Sequence, residues 1–488
     1  MPRLTRFSGT TLAFVAIAFS TTPAAYAETL REALARAYQT NPTLNAARAG
    51  QRATDENVPL ALSQGRPGAS ATGTYTEQLH RPFPGTTPRR NFSGNVTADV
   101  PIYQGGIVRN TIRAAKEDVK AGQEDLRATE TSLFSAVVAA YLDVLRDSSV
   151  VRFNRQNVEA LETNLQASSD RFEVGDLTRT DVAQSDSRLA LARADLESAE
   201  ARLIASKEQY ISLVGTAPEN LETPPPLPGL PDTPDAAVQV ALQDNPDLLA
   251  AKYAREAAHY DSNAAAGQIA PRISAFVSGG YLDYLNSEKD IAPVPPVAGD
   301  QKSASVGVQL TLPLYQGGRP GALTRQARAR ESAQMEQVIA TERSVIAQTR
   351  SAYASWQASI QAIESTGKAV ESGELSLEGV RAENSAGTRT ILDILDSQRD
   401  LLNAQVQYVT AQRNAYVAGF SLLAAMGKAE ARDLGLEGGP FYDPDVNYRQ
   451  VRGKLLDFDF GSAPKTEGTS TATVPAQNSR PMAGNASE

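Results

Sequence analysis

The sequence predicts a mixed fold built from one unit written twice, in which long antiparallel coiled-coil hairpins join β-hairpins of membrane-spanning length. Three observations carry this expectation. An offset of 212 residues, the difference between 393 and 181, relates two halves of the chain: VGDLTRTD at 174–181 aligns with AGTRTILD at 386–393, PIYQGG at 101–106 recurs as PLYQGG at 313–318, and Tyr141 and Gly215 recur as Tyr353 and Gly427. Self-similarity at a fixed distance marks a repeat architecture. Two short stretches alternate apolar and polar residues with period two, and two proline-free spans, Pro101 to Pro218 and Pro320 to Pro440, carry heptads.

Residues 1–27 read as a secretory signal peptide: Arg3 and Arg6 precede an apolar run from Leu12 to Phe19, and Ala25-Tyr26-Ala27 supplies a small-x-small cleavage site before Glu28. That run is too short to span a bilayer, and no later segment is expected to supply the ~20 apolar residues a spanning helix needs. Entry into a membrane would have to be by strands. Loss of Arg3 and Arg6 takes the formal charge from −9 to −11, a balance that argues against nucleic acid as a partner. The exported chain has no cysteine, hence no disulfide framework and no thiol to carry an N-terminal lipid.

The first repeat, 28–217, opens with a short helix, a break at Asn41-Pro42 and a longer helix to about Ser63. A β-hairpin over 66–103 follows. Phe92, Gly94, Val96, Ala98, Val100 and Ile102 alternate with polar residues, and Ala69 to Leu79 is the weaker partner strand. A long helical hairpin then turns at Gly175, with Val137, Val144, Val151, Val158, Leu165 and Phe172 at every seventh position on the way out and Val182, Leu189, Leu196, Leu203 and Tyr210 on the way back. Small residues such as Ser185, Ala192 and Ala199 fall three positions on, so the helices supercoil and approach closely. A proline-rich connector, 218–234, leads to the second repeat, 235–430, which has the Asn245-Pro246 break, a β-hairpin over 271–315, the alternating stretch Ala304 to Leu314, and a helical hairpin turning at Gly387. The remainder, 431–488, is a C-terminal extension whose last part, from about Gly461, has the composition of a disordered tail.

Strands of this length fit a tilted membrane crossing of ~9–11 residues, although a soluble sandwich would show the same alternation. Four strands cannot close a barrel, and lipid tolerates no open sheet edge. If the strands are membrane-embedded, several chains must share one barrel, eight strands from two chains or twelve from three.

The two YQGG motifs, the Asn-Pro break in each half, the twofold repeat and above all AGTRTILDILDSQRDLLNAQ at 386–405 resemble the TolC family of outer-membrane channel-tunnel proteins, over essentially the whole chain from Glu28 to about Gly453. The resemblance implies a homotrimer: four strands per chain in a twelve-stranded barrel embedded in outer-membrane lipid, continued by a tunnel of twelve helices through the periplasm of a Gram-negative envelope. It implies a passive exit duct for drug efflux or type I protein secretion, opened by a periplasmic adaptor and an inner-membrane pump of ABC, RND or MFS type. It further implies that Asp393 and Asp396 form constriction rings, and that Arg389 locks the tip by bonding to Thr180 and Asp181. Asn384 departs from the tyrosine of the best-known member and puts one lock contact in doubt.

The residues themselves leave other roles open. Thr178 with Asp181 and Thr390 with Asp393 also fit a capping box, and Arg389 also fits a solvated side chain. Asp396 has no capping role at its spacing and is the better ring candidate. His80 and His259 belong to no metal-ligand pattern, and no phosphate loop or nucleophile motif occurs, so neither enzyme activity nor a cofactor is expected. The competing reading is an exported soluble coiled-coil scaffold or adhesin.

Overall fold

The computed structural model describes residues 28–80, 88–287, 289, 299–436 and 441–482. The expected signal peptide, the distal part of each β-hairpin loop and the last six residues lie outside them. Three helices, α1 (Leu30–Thr40), α2 (Pro42–Asp55) and α3 (Asn57–Ser63), lead to strands β1 (Gly68–Glu77) and β2 (Arg90–Gln104). The single longer helix expected after Pro42 is thus two, broken at Glu56. The hairpin α4 (Ile107–Glu173) and α5 (Arg179–Val214) follows, then α6 (Pro234–Asp244), α7 (Pro246–Ala266), β3 (Arg272–Asp283) and β4 (Asp300–Thr311). A second hairpin, α8 (Arg319–Ser385) and α9 (Ile391–Ala425), and the short α10 (Pro444–Val451) complete the chain. Both α4 and α8 have 67 residues, about 100 Å at 1.5 Å per residue.

Each Asn-Pro break performs two tasks. The Asn41 side-chain oxygen accepts from the Thr43 amide at 2.9 Å, capping α2, while its amide nitrogen donates to the Leu213 carbonyl at 2.9 Å. Asn245 caps α7 through the Leu248 amide at 3.1 Å and donates to the Ala425 carbonyl at 3.0 Å. Asn41 therefore ties the start of α2 to the end of α5, and Asn245 ties the start of α7 to the end of α9.

The sheet has the order β1-β2-β3-β4, antiparallel throughout, so the two hairpins join through β2 and β3. The register shifts between Pro101 and Tyr103, where proline has no N–H to give the ladder. β4 stops at Thr311, short of the Leu314 that alternation suggested, and β2 runs farther than expected, from Arg90 to Gln104. Register places Val96, Val277 and Val306 on one face with Val308 and Leu310, and Ser70, Thr97, Ser278 and Ser305 on the other. On the polar face the Ser70 and Thr97 hydroxyls are 3.0 Å apart and those of Ser278 and Ser305 2.6 Å. Among the described residues nothing covers the apolar face: Val306, Val308 and Leu310 are 80, 67 and 64% exposed.

The main core lies where α1, α4 and α5 meet. Phe134, Tyr141, Leu203 and Tyr210 are inaccessible there, and the heptad valines Val137, Val144 and Val151 are fully buried. The seam loosens toward the tip, where Phe172 is 44% exposed. One window of α4 is long and apolar enough to cross a membrane by length and composition, contrary to the expectation that no segment would approach a span. Half of that window is buried in this core, which accounts for its composition. The proline-rich connector is docked rather than free, with Leu221 buried and the Glu222 carbonyl accepting from the Tyr141 hydroxyl at 2.6 Å.

The tail also departs from expectation. Residues 461–482 have no regular secondary structure, yet the Asn478 and Arg480 carbonyls accept from the Lys207 ammonium at 3.0 and 2.8 Å, the Ser479 carbonyl accepts from Arg155 at 3.2 Å, and Met482 packs against the core. Composition announced the missing periodicity. It did not register the buried lysine that holds the strap.

Candidate functional site

The two hairpin tips have the same construction. The Gly175 amide donates to the Phe172 carbonyl at 2.9 Å and the Asp176 amide to the Arg171 carbonyl at 2.9 Å. In the second tip Gly387 donates to Asn384 at 2.9 Å and Thr388 to Glu383 at 3.0 Å. These paired bonds close a helix with a left-handed residue, and φ of 85° at Gly175 and 79° at Gly387 is a backbone region that a Cβ strains. Three residues later the next helix starts on a threonine.

Thr178 and Thr390 are N-caps of α5 and α9, and each forms a reciprocal capping box with the aspartate three residues on. One Asp181 oxygen takes both the Thr178 amide (2.9 Å) and its hydroxyl (2.7 Å), and Asp393 does the same with Thr390 (2.9 and 2.6 Å). These bonds stabilise the carboxylates and hold both aspartates below their ordinary range. Asp181 and Asp393 are therefore caps, a role the spacing had already offered.

Arg389 occupies the place that Leu177 has in the first tip. Its Nε donates to Glu383 at 2.8 Å and one terminal nitrogen lies 3.9 Å from Asp393, so it is paired within its own hairpin. Among the described residues no hydrogen bond or ion pair joins it to Thr180 or Asp181. Asn384 donates its amide to the Arg389 carbonyl at 2.7 Å and so braces the turn that presents the arginine.

Asp396, the better ring candidate from its spacing, is ion-paired. Arg188 of α5 donates to its Oδ1 at 2.8 Å, and Arg399 lies 3.8 Å away. Beside this pair, Leu395 inserts between α4 and α5 against Val158, Leu161, Leu189 and Ala192, and Asn164 donates to Gln398 at 3.2 Å. About 26 Å farther up α9, at 1.5 Å per residue, Arg413 grips Asp143 of α4 with two bonds of 2.9 and 3.1 Å. The two hairpins of one chain are thus linked near the tip and again midway.

Arg188 and Glu383 were not singled out from sequence. Arg188 immediately precedes the seam residue Leu189, the flank on which coiled coils place interhelical charges, and that signal was present. Even so, the tips keep a negative excess. Residues 170–190 and 378–400 each contain five acids against three arginines, a net of −2 apiece.

The profile of the family described as "outer membrane efflux protein" matches residues 33–216 and again 237–428. Outer membrane efflux protein BepC of Brucella suis is 33% identical over 431 residues, covering 88% of this chain and 92% of the relative. Outer membrane protein TolC of Vibrio cholerae is 29% identical, covering 86% and 96%. The crystal structure of the Campylobacter jejuni CmeC outer membrane channel shares the fold, with a TM-score of 0.73 at 16% identity over 88% of this chain and 90% of that one.

Proposed function

The chain belongs to the outer membrane efflux protein family, the TolC family of outer-membrane channels, and from that premise we propose that three copies form one gated exit duct. Each copy contributes its four strands to a twelve-stranded barrel, and the helical hairpins continue it as a periplasmic tunnel that narrows at the tips around 175 and 387. A periplasmic adaptor and an inner-membrane pump, of ABC, RND or MFS type, load and open it for efflux or type I secretion. The chain itself is a conduit and not an enzyme. The competing reading of a soluble scaffold or adhesin has no support among these relatives.

The observation that carries the proposal is the sheet: one apolar face without cover and two unpaired edges, β1 and β4. Unpaired backbone groups in lipid cost several kcal/mol each, so the edges must meet edges of other copies. The dimensions agree. Phe92 and Tyr103 stand near opposite ends of β2, eleven residues apart, which at about 3.3 Å per residue and a tilt near 40° gives about 28 Å of height against a ~25 Å apolar band. Tyr75 and Tyr281 share the upper level, and Tyr103 stands at the lower, as aromatic girdles would.

The second hairpin calls for neighbours as well. Of the 67 residues of α8 only Pro320, Val345, Thr349 and Leu377 are buried within one chain, which leaves a long helix to be covered by the next copy. In such a tunnel Asp393, Asp396 and their symmetry copies ring the narrowest point, and the uncompensated charge favours cations. Arg389, which has no bond to Thr180 or Asp181 within its own chain, would reach those residues of the adjacent copy. The Arg188–Asp396 pair is the lock within each chain.

The test is single-channel current after the mature protein is added to a planar bilayer. Long-lived, cation-preferring steps are expected. A well-folded protein that neither inserts nor conducts would refute the duct.

A further inference from the structure

We propose that the loop after α10, Lys454 to Phe460, dips its apolar side chains into the periplasmic leaflet of the outer membrane beside the barrel. The inference rests on the reading that the sheet lies in that membrane. It starts from an exposed apolar run of four large side chains: Leu455, Leu456, Phe458 and Phe460 are 71, 79, 87 and 86% exposed. Scattered single hydrophobics need no explanation, whereas a contiguous patch marks an interaction surface.

Where the loop sits identifies the partner. Asp445, in the first turn of α10, accepts from Gln123, sixteen residues into α4 and therefore about 24 Å below its start. Tyr448 packs against the cluster of Val58, Ala61, Ala115 and Val119, nearer the membrane end. The Lys454 carbonyl then accepts from the Arg66 guanidinium at 2.7 Å, and Arg66 is two residues before β1. The chain therefore climbs along α4 and arrives at the foot of the sheet as the apolar run begins.

Local bonds hold the run there. The Asp459 amide donates to the Leu456 carbonyl at 3.3 Å, and the Asp459 carboxylate lies 3.0 Å from the Lys454 ammonium. The turn brings Asp459 back to Lys454, and one of the loop's two acids is neutralised. Gly68 pairs with Asp99, so Arg66 lies near the Tyr103 end of β2, where Tyr103 is 48% exposed, and just past β4 Leu312 and Tyr315 are 54 and 89% exposed. Arg66 at that border, bonded to a neutral carbonyl, suits anionic headgroups, while apolar side chains sink ~5–10 Å into the headgroup and acyl boundary.

The sequence has one tryptophan, Trp356, which allows a direct test. In a Trp356→Phe background, Phe458→Trp is introduced into the full mature chain and reconstituted in vesicles of phosphatidylethanolamine and phosphatidylglycerol. Blue-shifted emission is expected, with stronger quenching by lipids brominated near the glycerol backbone than by lipids brominated near the methyl ends. Val308→Trp in the same background reports on the barrel and should be quenched most by the deep bromines. Quenching at 308 with water-like emission at 458 would overturn the loop proposal alone. Blue-shifted but unquenched emission at 458 would overturn it in favour of cover by a second copy of the chain. Absence of quenching at both positions would remove the barrel reading, and the loop proposal with it.

Discussion

Replacing Arg188 by alanine removes the ion pair that ties Asp396 to α5, and the consequence for gating can be worked from the structure. The two side chains are 31 and 42% exposed, so solvent screens the pair and its worth is about 0.2–1 kcal/mol. A trimer that opens by separating its hairpins breaks three such pairs together, about 0.6–3 kcal/mol in all. At 1.4 kcal/mol per tenfold, the open-to-closed ratio should rise between about threefold and roughly a hundredfold. The Arg413–Asp143 grip, about 26 Å away along α9, should stay intact. Single-channel recording of Arg188→Ala should show more frequent open events than the parent. Cation preference should also rise, because Asp396 loses the nearer of its two arginine partners. The difference should shrink in 1 M salt, where screening acts within ~3 Å. Asp396→Asn alone should open the channel to a similar extent, and combining it with Arg188→Ala should add little, since both remove one interaction. Equal open fractions for Arg188→Ala and the parent at low salt would refute the lock.

Other perturbations separate the remaining roles. Asp393→Asn with Asp396→Asn should lower cation preference measured as reversal potential under a salt gradient, and unchanged selectivity would remove both from the constriction. Asn245→Ala deletes the α7 cap and the bond to the Ala425 carbonyl; a loss of about 1–2 kcal/mol is expected in urea unfolding, the upper range for a cap. The caps also set a pH dependence. Asp181 and Asp393 have lowered folded values, so their contribution is complete above the ordinary aspartate range near ~3.9 and is lost as pH falls through the lower folded value. Hydrogen exchange in the first turns of α5 and α9 should therefore quicken only below that range, once the amide's own pH dependence is removed. Quickening that begins near neutrality would mean other groups hold the tips.

The division between what was readable in the chain and what was not follows the range of the interactions. Strand alternation, heptads, the Asn-Pro breaks and the spacing that offered two capping boxes all depend on residues a few positions apart, and the chain by itself determined them. The family resemblance rests on the same local motifs. Contacts made across long separations belong to the tertiary structure. It decided that β2 pairs with β3, that Asn41 and Asn245 each close their own hairpin, and that Arg188 meets Asp396 across 208 residues. It decided too that the tail from 461 to 482 is strapped to the buried Lys207, a contact no composition can announce. Electrostatic partners depend on how two hairpins are rotated against each other, and that rotation is chosen by packing residues such as Leu395, whose environment exists only once the helices have met.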